Sequence, residues 1–153
     1  AVHVDDTDFV RAGQPLVSLD PADARVALDQ AAGQLALAVR AVRSLHATTC
    51  HYTFCGHMHE PKLFHLSGTG KAGDFVPTPG VSIPIPALRQ WLIVPGSAGQ
   101  PRDGNPAACY AMFDMVEQAL TFHRVPYDHE LAGAKIRDAG LPARLADRLA
   151  HGQ

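Results

Sequence analysis

Long apolar runs are missing from this chain: no stretch approaches the roughly 20 consecutive apolar residues of a membrane-spanning helix. No charged-then-apolar leader opens it either. The expectation is therefore a cytoplasmic protein with no membrane span. Cysteine is scarce, with Cys50, Cys55 and Cys109 an odd set of 3 and no paired spacing. That argues against a disulfide scaffold and for a reducing compartment. Excess positive charge is absent as well: the net charge is -2, so no basic footprint argues for a nucleic-acid partner. No nucleophilic triad is visible, because Ser97 has no placed base and Cys109 sits in a strand-like run.

What is present is an ordinary globular composition over 153 residues, enough for one domain or two small ones. Histidine is the exception, with 9 in the chain and His51, His57, His59 and His65 close together. The informative stretch is Phe54-Cys55-Gly56-His57-Met58-His59-Glu60-Pro61. Residues two apart on an extended chain share a face, so His57 and His59 can be aimed together at one metal or at adjacent metals. Gly56 permits the tight turn. Neutral imidazoles make good metal ligands, and hard oxygen ligands would have to come from elsewhere. The plain alternative is a pair of surface loop histidines. A structural zinc site drawing on Cys50, His51, Cys55, His57 and His59 lacks finger or ribbon spacing, and Cys55 reads better as a buried small hydrophobe.

From about His46 onward the chain resembles the C-terminal half of a calcineurin-like metallophosphoesterase. The resemblance rests on Gly56-His57-Met58-His59-Glu60-Pro61, on Trp91-Leu92-Ile93-Val94-Pro95-Gly96-Ser97-Ala98-Gly99-Gln100-Pro101-Arg102-Asp103, and on Tyr110 to Asp114. Arg124-Val125-Pro126-Tyr127-Asp128 and Ala139-Gly140-Leu141-Pro142 with Leu145 and Leu149 extend it. It implies metal-dependent hydrolysis of a phosphoester substrate with manganese, iron or zinc, His57 serving one metal and His59 the other. It also places the Gly96 to Asp103 loop beside the metals, making Ser97 and Arg102 substrate-side candidates. The plain reading of that loop is a glycine turn with Arg102 paired to Asp103 or to a chain end. The family's earlier motifs, of the types Asp-x-His, Gly-Asp-x-x-Asp and Gly-Asn-His-Asp or -Glu, do not occur in this chain. An incomplete two-metal site with little or no catalysis is therefore expected. Asp5, Asp6 and Asp8 are poor substitutes, since they fall in a turn of their own.

Residues 1–45 resemble a different family, the periplasmic membrane fusion proteins of bacterial tripartite efflux pumps. Val4-Asp5-Asp6 and Phe9-Val10-Arg11-Ala12-Gly13-Gln14-Pro15-Leu16 match a lipoyl-like strand pair, and Leu19-Asp20-Pro21-Ala22-Asp23 leads into a first hairpin helix. Asp20 as N-cap, Pro21 at the first helical position and Asp23 against the dipole predict a helix to about Leu45. Ala24, Leu28, Ala31, Leu35, Ala38, Val42 and Leu45 alternate steps of four and three, the seam of a coiled coil. That seam either covers the sheet or forms a homo-oligomer through residues 21–45. Two unrelated fragments meeting near Leu45 to Thr49 imply a chimera of residues 1–45 and 46–153. The runner-up function is then a non-enzymatic, adaptor-like interaction module, or a chimera without native function.

Tyr52 to Cys55, Lys62 to Leu66, Gln90 to Val94, Cys109 to Met115 and Leu120 to Val125 read as strands. Ser67-Gly68-Thr69-Gly70-Lys71-Ala72-Gly73 reads as a hairpin turn, since its spacing fails the phosphate-loop pattern and no helix follows. Pro77, Pro79, Pro84 and Pro86 predict an extended, irregular connection. Leu131 to Ala139, closed by Gly140, and a segment from Pro142 predict two last helices. The fold class expected is α+β: an N-terminal β-hairpin and long helix, then an antiparallel sheet with C-terminal helices.

Overall fold

The computed structural model describes residues 22–153, without the side chains of residues 22–24 and 34. The lipoyl-like strand pair, Asp5, Asp6, Asp8, the Asp20 cap and Ala24's place in the seam lie outside the described residues. Two compact units, Ala1–Leu37 and Ala38–Gln153, are taken separately. Helix α1, Ala22–His46, contributes to each. It is rich in alanine and leucine and free of proline, which favours a continuous helix. In the first unit Leu28 and Leu35 are exposed, at 69% and 66%. In the second unit the same helix buries Ala41 and Leu45 and half-buries Ala38.

The second unit is a sandwich of two sheets. The first holds β1 (Tyr52–Phe54), β2 (Pro61–Ser67), β3 (Ala72–Phe75) and β5 (Arg89–Pro95) in the order β1-β5-β2-β3. The second holds β4 (Ser82–Pro84), β6 (Ala108–Asp114) and β7 (Ala119–Val125) in the order β4-β7-β6. Alternation along each strand divides the core. Leu63, Trp91 and Ile93 face the second sheet and pack with Ile85, Cys109, Leu120 and Phe122. Phe64, Leu66, Leu92 and Val94 face the other way and pack with Ala41 and Leu45 of α1. Coverage on both faces explains why Trp91-Leu92-Ile93-Val94 is apolar without a break.

The α+β class holds. The expected antiparallel sheet is corrected to two sheets, one of them mixed: β1 runs parallel to β5, with Tyr52 opposite Trp91 and Phe54 opposite Ile93. The proline-rich connection contains a strand that sequence reading missed. Pro84 ends β4 at the edge of its sheet, where a missing N–H costs no ladder bond. The hairpin turn expected over Ser67 to Gly73 is present but tighter: Ser67 N–H donates to the Lys71 carbonyl at 2.9 Å, and Ala72 and Gly73 already belong to β3, which the sequence reading did not anticipate.

After β7 come α2 (His129–Asp138) and α3 (Ala143–His151). Asp128, read from sequence as part of a strand end, is the N-cap of α2 and accepts from the Leu131 N–H at 2.8 Å. Leu149 is buried as expected, while Leu145 is half-buried and Ala146 fills the contact beside it.

Two expectations follow. Leu45 is fully buried, so Leu45→Ala should cost about 3 kcal/mol in urea denaturation. Burial pushes the His65 imidazole below its ordinary value of 6.5; nearby Arg89 adds to this and Asp74 opposes it. On acidification the unfolded chain therefore takes this proton first. The His65 contribution to stability is lost as pH falls through 6.5 toward the lower folded value. Stability measured from about pH 7 down to about pH 5 should fall less steeply in His65→Gln than in the parent.

Candidate metal half-site

Parallel strands leave a sheet at the same end, so β1 and β5 deliver their following loops side by side. β1 is followed by the histidine turn and β5 by Gly96 to Asp103. Cys55 N–H extends the parallel pairing by donating to the Ile93 carbonyl at 2.9 Å.

The chain then turns in a way the sequence did not predict. Gly56 carries no positive φ; His57 and His59 do, at 75° and 63°. Met58 N–H donates to the Gly56 carbonyl at 3.0 Å across His57, the pattern of a γ-turn. The extended-chain picture of two histidines on one face is therefore corrected: both project from left-handed backbone. Such residues each cost on the order of 1–3 kcal/mol and persist only where their surroundings hold them.

The Gly96 to Asp103 loop supplies that hold for His59. The Gln100 carbonyl lies 2.7 Å from His59 Nδ1, and the Arg102 N–H donates to the His59 carbonyl at 3.1 Å. A carbonyl only accepts, so Nδ1 carries the proton and Nε2 keeps its lone pair for a metal. Ser97 Oγ accepts from the Gln100 N–H at 2.9 Å, which leaves its hydroxyl proton free to donate. Pro101 is fully buried and pins the loop. At the loop's start Gly96 has φ 92°, and a Cβ there would lie 2.9 Å from both Cβ and Sγ of buried Cys109.

Several expectations change. Asp103 pairs with Arg124, whose guanidinium also donates to the Ala107 carbonyl at 3.0 Å. Arg102 is thus not Asp103's partner, and among the described residues it makes no ion pair and is exposed. Cys55 is exposed instead of buried. His57 is exposed and His59 half-buried. Ser97 and His59 are brought together through Gln100. Gln100 itself went unnoticed because its role is played by a backbone carbonyl, which no side-chain pattern announces.

The donor set is tested by these contacts. They set the chemistry of one donor: His59, with Nδ1 on the Gln100 carbonyl, leaves Nε2 as an acceptor of the kind a divalent metal takes. No group of three or more His, Cys, Asp or Glu able to hold a metal occurs among the described residues, so Cys50, His51, Cys55, His57 and His59 do not gather into a zinc site there. No membrane-spanning helix occurs among them either.

No family model matches the chain. It is 37% identical to a metallophosphoesterase from Sphaerobacter thermophilus of known crystal structure, with a TM-score of 0.62 over 70% of this chain and 44% of that one. It is also 36% identical over 96 residues to an uncharacterized protein of Methanocaldococcus jannaschii, covering 63% of this chain and 37% of the relative. The chain therefore spans less than half the length of either. In sequence and fold alike it resembles a metallophosphoesterase.

The strain at His57 is open to measurement. His57→Gly should be more stable than His57→Ala by about 1 kcal/mol in urea denaturation, because only glycine accepts a positive φ without penalty. Equal stabilities would contradict the γ-turn.

Proposed function

We propose that this chain carries part of a metal-dependent phosphoesterase site, with His57 and His59 as imidazole ligands and Ser97 and Arg102 on the substrate side. The observation that carries the reading is His59: strained backbone, a fixed ring and a free Nε2, in a chain resembling a metallophosphoesterase. A divalent metal, manganese, iron or zinc, in such a site supplies Lewis acidity and an activated water. The chain's own residues do the positioning. Gln100 fixes the His59 ring, the Arg102 guanidinium offers a planar pair of donors to phosphate oxygens, and the Ser97 hydroxyl offers a third.

Two histidines do not retain two ions, so the remaining oxygen ligands come from beyond the described residues. Alone, the chain turns over little or no phosphoester. Its expected setting is the cytoplasm. With a net charge of -2, a nucleic-acid partner is not expected.

The exposed Leu28 and Leu35 favour a second reading, an interaction module that associates through the helical seam of residues 21–45. The efflux-adaptor likeness and the chimera inferred from residues 1–45 belong to this reading. It predicts concentration-dependent self-association weakened by Leu35→Asp.

The first reading is tested by metal content after equilibration with manganese or zinc and desalting, with hydrolysis of a nitrophenyl phosphodiester assayed alongside. Retained metal should be lost in the His57→Ala, His59→Ala double variant. Equal metal in parent and variant would overturn the ligand assignment.

A further inference from the structure

The loop that steadies His59 is held at its start against Cys109 and in its middle by the two bonds to His59. Its far end is held by a part of the chain remote in sequence. Gly104 N–H donates to the Gly152 carbonyl at 3.0 Å, and Gly152 is the left-handed C-cap of α3, with φ 63°. The approach is closer than any side chain would allow. A Cβ on Gly152 would lie 2.6 Å from the Asn105 nitrogen and 2.9 Å from the Gly104 carbonyl carbon. Those atoms are backbone and cannot swing aside, so a side chain there displaces the loop itself.

Gly140, at the end of α2, is its matched opposite. It too has a left-handed φ, 70°, but nothing lies within 4 Å of the place its Cβ would take. Alanine at either glycine meets the same backbone penalty. Alanine at Gly152 alone also strikes the loop.

We infer that Gly152 is a positioning residue for His59. The end of α3, seated on Gly104 and Asn105, sets where the Arg102 N–H and the Gln100 carbonyl stand. Through them it sets the ring orientation and tautomer of His59. The C-terminal helical pair thereby belongs to the site without touching a ligand atom. The part of this inference that concerns metal affinity rests on the ligand reading above; the part that concerns the His59 ring does not.

The experiment uses the full chain, ring-15N-labelled at histidine, with Gly152→Ala and Gly140→Ala as the compared variants at one fixed pH. Thermal stability, the His59 ring nitrogen signals and zinc affinity are read for each. Both variants should lose stability, Gly152→Ala the more because it adds the clash with the loop to the shared backbone penalty. Only Gly152→Ala should move the His59 signals off the Nδ1–H pattern, and it should weaken zinc binding by about tenfold or more. A variant ending at His151 removes the acceptor for Gly104 without adding a Cβ, and it should shift the same signals even if Gly152→Ala does not fold. Unchanged His59 signals in the folded variants, or equal shifts in Gly140→Ala, would overturn the inference. A parent that binds no zinc, with ring signals that still separate the variants, would sink the ligand reading and leave the positioning role standing.

Discussion

The parallel pairing of β1 with β5 is the constraint on which the site depends. Antiparallel neighbours would send the histidine turn and the Ser97 loop to opposite ends of the sheet. Parallel neighbours bring them out together, and β2, running the other way, begins at Pro61 beside both. The pairing is secured by burial. β5 has α1 against one face and the second sheet against the other, so its register with β1 is fixed by two cores at once. Tyr52 strengthens the same junction from β1, its hydroxyl donating to the Ile85 carbonyl at 2.9 Å.

Against that rigid base the histidine turn is strained, and the strain is met by hydrogen bonds from one loop. His59 has both its ring and its carbonyl engaged by residues two apart, Gln100 and Arg102. The loop that does this is itself tied down by polar contacts at the surface, among them Arg124 to Asp103. Burial lowers the Arg124 guanidinium from its ordinary value, and Asp103 compensates for lost hydration. Of the two strained histidines, His59 is the one the neighbouring loop holds, through its ring and its carbonyl.

Much of this was legible in the sequence, and the failures have physical reasons. The strands β2, β5, β6 and β7 announce themselves through β-branched and aromatic runs between turns, and α1 through its apolar spacing. The parallel β1–β5 pair was hidden because the direction of pairing is decided by packing and leaves no mark in three residues. β4 was hidden by Pro84 and the prolines around it; Pro84 is tolerated because the strand lies at an edge. The histidine motif located the candidate ligands, but the sequence assigned the turn's conformational freedom to Gly56, while the structure spends it on His57 and His59. Cys55 was read by residue type as buried, yet it sits where β1 gives way to that turn and is exposed. The contributions of Gln100 and Gly152 are made by backbone, which composition and periodicity do not describe.

The seat of Cys109 under Gly96 has a practical consequence. Cys50 and Cys55 are exposed, whereas Cys109 is buried with its N–H bonded to the Ser97 carbonyl at 2.8 Å; desolvation raises the thiol pKa of Cys55 and of Cys109 alike, so access and not acidity separates them. A thiol reagent in native solution therefore meets two accessible sulfurs and one that is released only when the junction between β6 and the Ser97 loop comes apart. The slow third modification is a clock for that local opening, built into the chain without any added label.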